Sequence, residues 1–177
     1  MISMTIRKFR QWLTDENAVA AAEFGIIFPV MFTMMVGIWD IGNAILINQK
    51  SIAAAQVVVD LIGREENVTD VELESAFDAG ELALMPYDAT GLKIEVASVQ
   101  FDASNNPVEV WKEANSGTAD TTLVAKTAGL GLSGDGALVV QVSYTYEPLF
   151  AGKMATINMQ ERIFSRGRQT AVVERDS

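Results

Sequence analysis

The stretch from Ala18 to Trp39 constrains this chain more than any other. It holds 22 residues, and Glu23 is the sole charged one among them. At about 1.5 Å of rise per residue a helix of that length reaches roughly 33 Å, close to the ~30 Å hydrocarbon core of a bilayer. A helix built for a soluble core keeps a polar face, whereas this one is apolar on every side, so the pattern predicts a membrane span over residues 19–39. Glu23 is the anomaly. A carboxylate in lipid costs up to about 3 kcal/mol on the mildest insertion scale, somewhat less towards the interface. The span itself offers no cation to offset that cost.

The order of features around Glu23 suggests a partner. An ordinary secretory signal places its small residues after the apolar block. Here Ala18, Ala20, Ala21 and Ala22 come before it. Hydrolysis of the Ala18–Val19 bond on the cytoplasmic side would retain the apolar helix and create an α-amine at Val19, one helical turn from Glu23. In a low-dielectric setting that amine can neutralise the carboxylate, within one chain or between staggered neighbours. This is the logic of a type IV pilin-like signal. The competing reading of residues 1–18 is the cytoplasmic tail of an uncleaved signal anchor.

Arg7-Lys8-Phe9-Arg10, Asp15-Glu16, the run from Val19 through Glu23-Phe24-Gly25 to Pro29-Val30, and Gly37-Ile38-Trp39-Asp40-Ile41-Gly42 together resemble the TadE-like family. These are minor pseudopilins of the tight-adherence (Flp, type IVc) pilus system. The resemblance covers roughly residues 7–55. It implies that a prepilin peptidase cuts between Ala18 and Val19, that Glu23 becomes the fifth mature residue, and that Phe24 is its aromatic neighbour. The family usually has glycine before the cut, and Ala18 departs from that. The implied role is assembly or initiation of a Flp pilus. The implied partners are other pilins and pseudopilins, the prepilin peptidase, an inner-membrane assembly platform with its ATPase, and membrane lipid. The major Flp pilin is a poor match, because over 100 residues follow the helix here.

Charge supports an orientation. Residues 1–18 carry three cations against two acids, and the remaining 159 residues carry ten cations against 21 acids. Basic residues before a span keep that end in the cytoplasm, so the acidic bulk is translocated; the resemblance implies that the membrane is an inner membrane and the far side the periplasm. An acidic domain argues against nucleic acid as a partner. Without cysteine there is no disulfide framework, and without histidine the commonest general base and metal ligand are missing. No motif marks a small-molecule substrate, a cofactor, a metal or a catalytic site. Gly129-Leu-Gly-Leu-Ser-Gly134 spells a dinucleotide fingerprint, but no strand precedes it and a strand follows, so it reads as a loop. The chain is expected to be an enzyme's substrate, not an enzyme.

The rest predicts an α+β, pilin-like fold. Its three parts are a leader over 1–18, a helix over 19–63 that is transmembrane to residue 39 and amphipathic beyond, and an extracytoplasmic domain over 64–177. Pro29 removes one backbone hydrogen bond and crowds the carbonyl of Gly25, predicting a mild kink there. Ala21 and Gly25 form a small-xxx-small pair suited to close helix approach. Trp39 and Asp40 are expected at the outer interface. Ile52, Ala55, Val59 and Ile62 repeat at helical spacing, with Gly63 as a C-cap. Thr69-x-x-Glu72 predicts a capping box opening a second helix, with Leu73, Phe77 and Leu84 inward and Glu74, Asp78 and Glu81 outward.

Four strands are expected, at Leu92–Asp102, Val108–Lys112, Ala137–Tyr146 and Ala155–Phe164. They should form an antiparallel sheet with one apolar face, covered by the outer half of the long helix. The apolar phase of the first strand flips between Val96 and Val99, suggesting a bulge. Residues 115–136 read as a surface loop with a short helix at Thr121–Ala128. The tail after Arg166 is expected to be mobile or an edge addition.

Overall fold

The computed structural model describes residues 16–149 and 155–176. All but the last three residues of the expected leader, with Arg7, Lys8 and Arg10, lie outside the described residues. The elements in order are α1 (Glu16–Ile62), β1 (Asn67–Val68), α2 (Asp70–Ala83), β2 (Leu92–Phe101), β3 (Pro107–Ala114), a 3-10 turn (Val124–Thr127), β4 (Gly136–Tyr146), β5 (Ile157–Ser165) and β6 (Glu174–Arg175). The fold is mixed α+β, with a long apolar N-terminal helix, a second short helix and a small antiparallel sheet. The chain divides into two compact units after Asn43.

In the second unit the sheet order is β3-β2-β4-β5, and every pair in it is antiparallel. Ala55, Val58, Val59 and Ile62 of α1 are buried against its first face, together with Leu73 and Phe77 of α2 and Ile94, Val96, Leu138, Val140 and Val142 of the strands. The outer half of the long helix thus covers the sheet as its periodicity predicted. α2 opens with the expected capping box: the Thr69 N–H donates to Glu72 Oε2 at 2.9 Å, and the Glu72 N–H returns to Thr69 Oγ1 at 3.4 Å. The two bonds satisfy donors that a helix N-terminus otherwise leaves orphaned. The Thr69 N–H and then the Thr69 hydroxyl, both donating to the Glu72 carboxylate, hold it below its ordinary pKa. Gly80 lets α2 come close to its neighbours. A Cβ there would stand 2.7 Å from Val58 Cγ2 and 2.8 Å from Ile94 Cδ1.

The expectation of a single apolar face is corrected. β2 and β4 are buried on both faces over most of their length. Ala97, Val99 and Val139 form a second core with Leu123, which comes from the segment expected to be a surface loop. Residues 115–136 therefore cover the sheet's second face, and their helical part is only the 3-10 turn at Val124–Thr127. The same finding accounts for the phase flip in β2. Strand alternation is regular there, and the apolar positions change sides because the covering element changes from helix to loop. A register shift does occur between Ser98 and Val99, but the extra residue sits on β3, where Val110 falls between the partners Trp111 and Glu109.

Polar contacts fasten the covering segment. Glu95, only 2 % exposed, accepts from Lys93 Nζ at 2.7 Å, from the Asp120 N–H at 2.8 Å and from Gln141 Nε2 at 2.8 Å. Lys126 Nζ then bridges Asp120 Oδ2 at 2.7 Å and Gln141 Oε1 at 3.0 Å. The Lys126 hydrogen bond, followed by those from Thr122, holds the Asp120 carboxyl well below its usual range. Gly131 of the expected loop lies on Phe101, where a Cβ would fall 2.4 Å from the ring. The GxGxxG run is thus a largely exposed turn that touches the sheet at Gly131, with no strand leading into it.

The C-terminal tail is anchored. β6 pairs in parallel with β1, and Val173 is buried in the main core. The Val173 carbonyl accepts from Ser98 Oγ at 2.7 Å and from Trp111 Nε1 at 2.8 Å. Arg175 pairs with Asp70 and Glu113, and Arg168 with Asp60. The edge-addition reading is the one that describes the tail, although the added strand joins β1 and not the main sheet.

Candidate assembly helix

The N-terminal unit presents its residues on one continuous helix. Glu16–Ile62 runs unbroken through Pro29. It is the one described helix long and apolar enough to cross a membrane. Large apolar side chains stand exposed all round it: Phe24, Ile26 (76 %), Phe28, Met31, Met34 and Ile38 among them. In water such a surface is strongly disfavoured, at about 25 cal/mol for each Å² of apolar area. A lipid environment or other apolar helices remove that cost.

The candidate site residues Ala18, Val19, Glu23, Phe24, Gly25 and Pro29 all lie on this helix. Ala18 and Val19 fall in its first turn, since α1 begins at Glu16 and not at Val19. Val19 and Glu23 are four residues apart, so they sit one turn apart on the same side. In the intact chain the Val19 nitrogen is an uncharged amide, and only hydrolysis of the Ala18–Val19 bond would make it a cation. Glu23 and Phe24 are both exposed. Gly25 has nothing within 4 Å of the position a Cβ would take. No contact among the described residues therefore requires glycine there. Thr33 Oγ1 donates to the Pro29 carbonyl at 2.7 Å, a back-bond to the preceding turn that keeps the hydroxyl satisfied in an apolar setting.

Two features went unread in the sequence. Phe24, Phe28 and Phe32 follow one another along one side, the first pair of rings tilted with centroids 5.5 Å apart and the second stacked at 5.9 Å. Their four-residue spacing was the signal that could have revealed this ridge. The second is Asp40, expected at the aqueous interface with Trp39. Trp39 is exposed, but Asp40 is buried at 2 %. Among the described residues no group of histidine, cysteine or acidic side chains could hold a metal ion.

Residues 18–60 match the family model described as TadE-like protein. The match begins at the residue before the expected cut and stays within α1, leaving the sheet outside it. No curated protein and no solved structure matches the chain significantly.

Proposed function

We propose that this chain, whose residues 18–60 form a TadE-like segment tying it to the tight-adherence pilus system, is a minor pseudopilin. In this reading α1 lies in the inner membrane with its N-terminus in the cytoplasm, and the acidic domain stands in the periplasm. A prepilin peptidase removes residues 1–18. The freed Val19 amine and Glu23 then neutralise each other, within the chain or across neighbours, and set the axial stagger as the helix packs among other pilin helices at the assembly platform. The chain is a substrate of processing, not a catalyst. The observation that carries this reading is a helical stretch, residues 18–39, apolar on all sides, whose one carboxylate, Glu23, lies a single turn from the expected cut.

The start of α1 at Glu16 adds a requirement. A protease that binds an extended substrate must first open one helical turn at Ala18–Val19, which costs little because helix ends fray. N-terminal sequencing of the protein purified from membranes tests the proposal. Val19 as first residue supports it. Met1 as first residue overturns it in favour of an uncleaved, single-pass anchored domain that binds an envelope partner.

A further inference from the structure

Two cavities of the Ala44–Ser177 unit share Tyr87 as a lining residue. One, of about 470 Å³, is also lined by Tyr144, Tyr146, Asp88 and Glu147, so all three tyrosines of the chain meet there. The other, of about 370 Å³, is lined by Asp78, Glu81, Leu82 and Met85. Four carboxylates line the pair of cavities, and among the described residues no lysine or arginine does. The Tyr144 hydroxyl donates to the Asp88 carbonyl at 3.1 Å. Burial, and then the charge of Asp88, push the Tyr144 pKa up. Leu82 and Met85 are 64 % and 60 % exposed.

We propose that the surface joined at Tyr87 docks a basic segment of a partner protein. Its lysine or arginine side chains would seat against the tyrosine faces and the carboxylates, while an apolar neighbour covers Leu82 and Met85. Aromatic faces attract cations, and tyrosine and methionine are enriched at protein interfaces. Opposite charge steers the encounter and fixes the register. The charge balance argues against the two other occupants. A second copy would bring another net charge of -10, and many of its cations are already tied up, as in Arg166–Asp135, Arg168–Asp60 and Lys112–Glu109. A lipid headgroup would bring its phosphate against four carboxylates. The proposal stands whether or not the Ala18–Val19 bond is cut.

The test uses the full chain in neutral detergent micelles and a short fluorescent peptide of lysines and leucines, with empty micelles subtracted. Asp78→Lys and Leu82→Ser alter exposed positions of the surface. Asp176→Lys makes the same charge change at an exposed position outside both cavities. Binding should weaken at least about tenfold with Asp78→Lys, and measurably with Leu82→Ser at unchanged charge, while Asp176→Lys stays within about twofold. Equal weakening by Asp78→Lys and Asp176→Lys would reduce the effect to general electrostatics and overturn the proposal, as would no binding at all. Two further results overturn it: self-association of the wild type that Asp78→Lys abolishes, which assigns the surface to a second copy, and flotation with zwitterionic vesicles that depends on Asp78, which assigns it to lipid.

Discussion

At the scale of single residues, two carboxylates in poor surroundings are handled in opposite ways. Glu95 is buried, and three donors within its own domain satisfy it. Removing it leaves the Asp120 N–H and the Gln141 amide without their acceptor, and leaves the Lys93 ammonium with the Thr118 carbonyl. Glu95→Ala should therefore cost about 3 kcal/mol, the range for breaking one side of a buried charged network. The loss should appear as a lower thermal midpoint and as early proteolysis within 115–136. An unchanged digestion pattern would mean that Leu123 alone holds the segment down. Among the described residues Glu23 has no such arrangement, and its proposed partner exists only after processing. Glu23→Ala should insert and be cut normally yet fail to co-purify with other pilins. Normal piliation in that variant would remove Glu23 from the mechanism.

At the scale of elements, the packing of α2 on α1 and β2 decides against local preference. Alanine in place of an exposed helix glycine is worth about 1 kcal/mol in propensity. At Gly80 a Cβ would overlap Val58 and Ile94, and overpacking a core costs about 1–3 kcal/mol. The second effect is the larger, so Gly80→Ala should destabilise the domain by roughly 1 kcal/mol, read as a lower denaturation midpoint. A higher midpoint would show that the two side chains yield. β2 makes the same point for strands. Its alternation is legible from sequence, but Val96 and Val99 serve different cores because different elements lie over each face.

At the scale of the molecule, the C-terminal tail closes the second unit. It supplies Val173 to the core, the carbonyl that Ser98 and Trp111 share, and the arginine between Asp70 and Glu113. Each orphaned buried donor costs about 1–3 kcal/mol and the exposed valine site a similar amount. Their sum is comparable with the about 5–15 kcal/mol that stabilises a typical domain. A chain ending at Ser165 should therefore lose cooperative unfolding, or melt far below the full chain, in near-UV circular dichroism. A midpoint within a few degrees of the wild type would show the tail to be dispensable.

What the amino-acid order settled by itself is what depends on neighbours along the chain. The apolar run from Ala18 to Trp39 specifies a helix long and apolar enough to cross a membrane. Thr69 and Glu72 specify a helix start through bonds three residues apart. Alternation in Ala137–Tyr146 specifies a strand. Tertiary structure alone decided which segment covers the second face of the sheet, why Glu95 can be buried, where Val173 is inserted, and that Tyr87 meets Tyr144 and Tyr146. Each of these joins residues far apart in sequence, and such contacts obey shape, burial and hydrogen-bond satisfaction in three dimensions, which no local periodicity encodes.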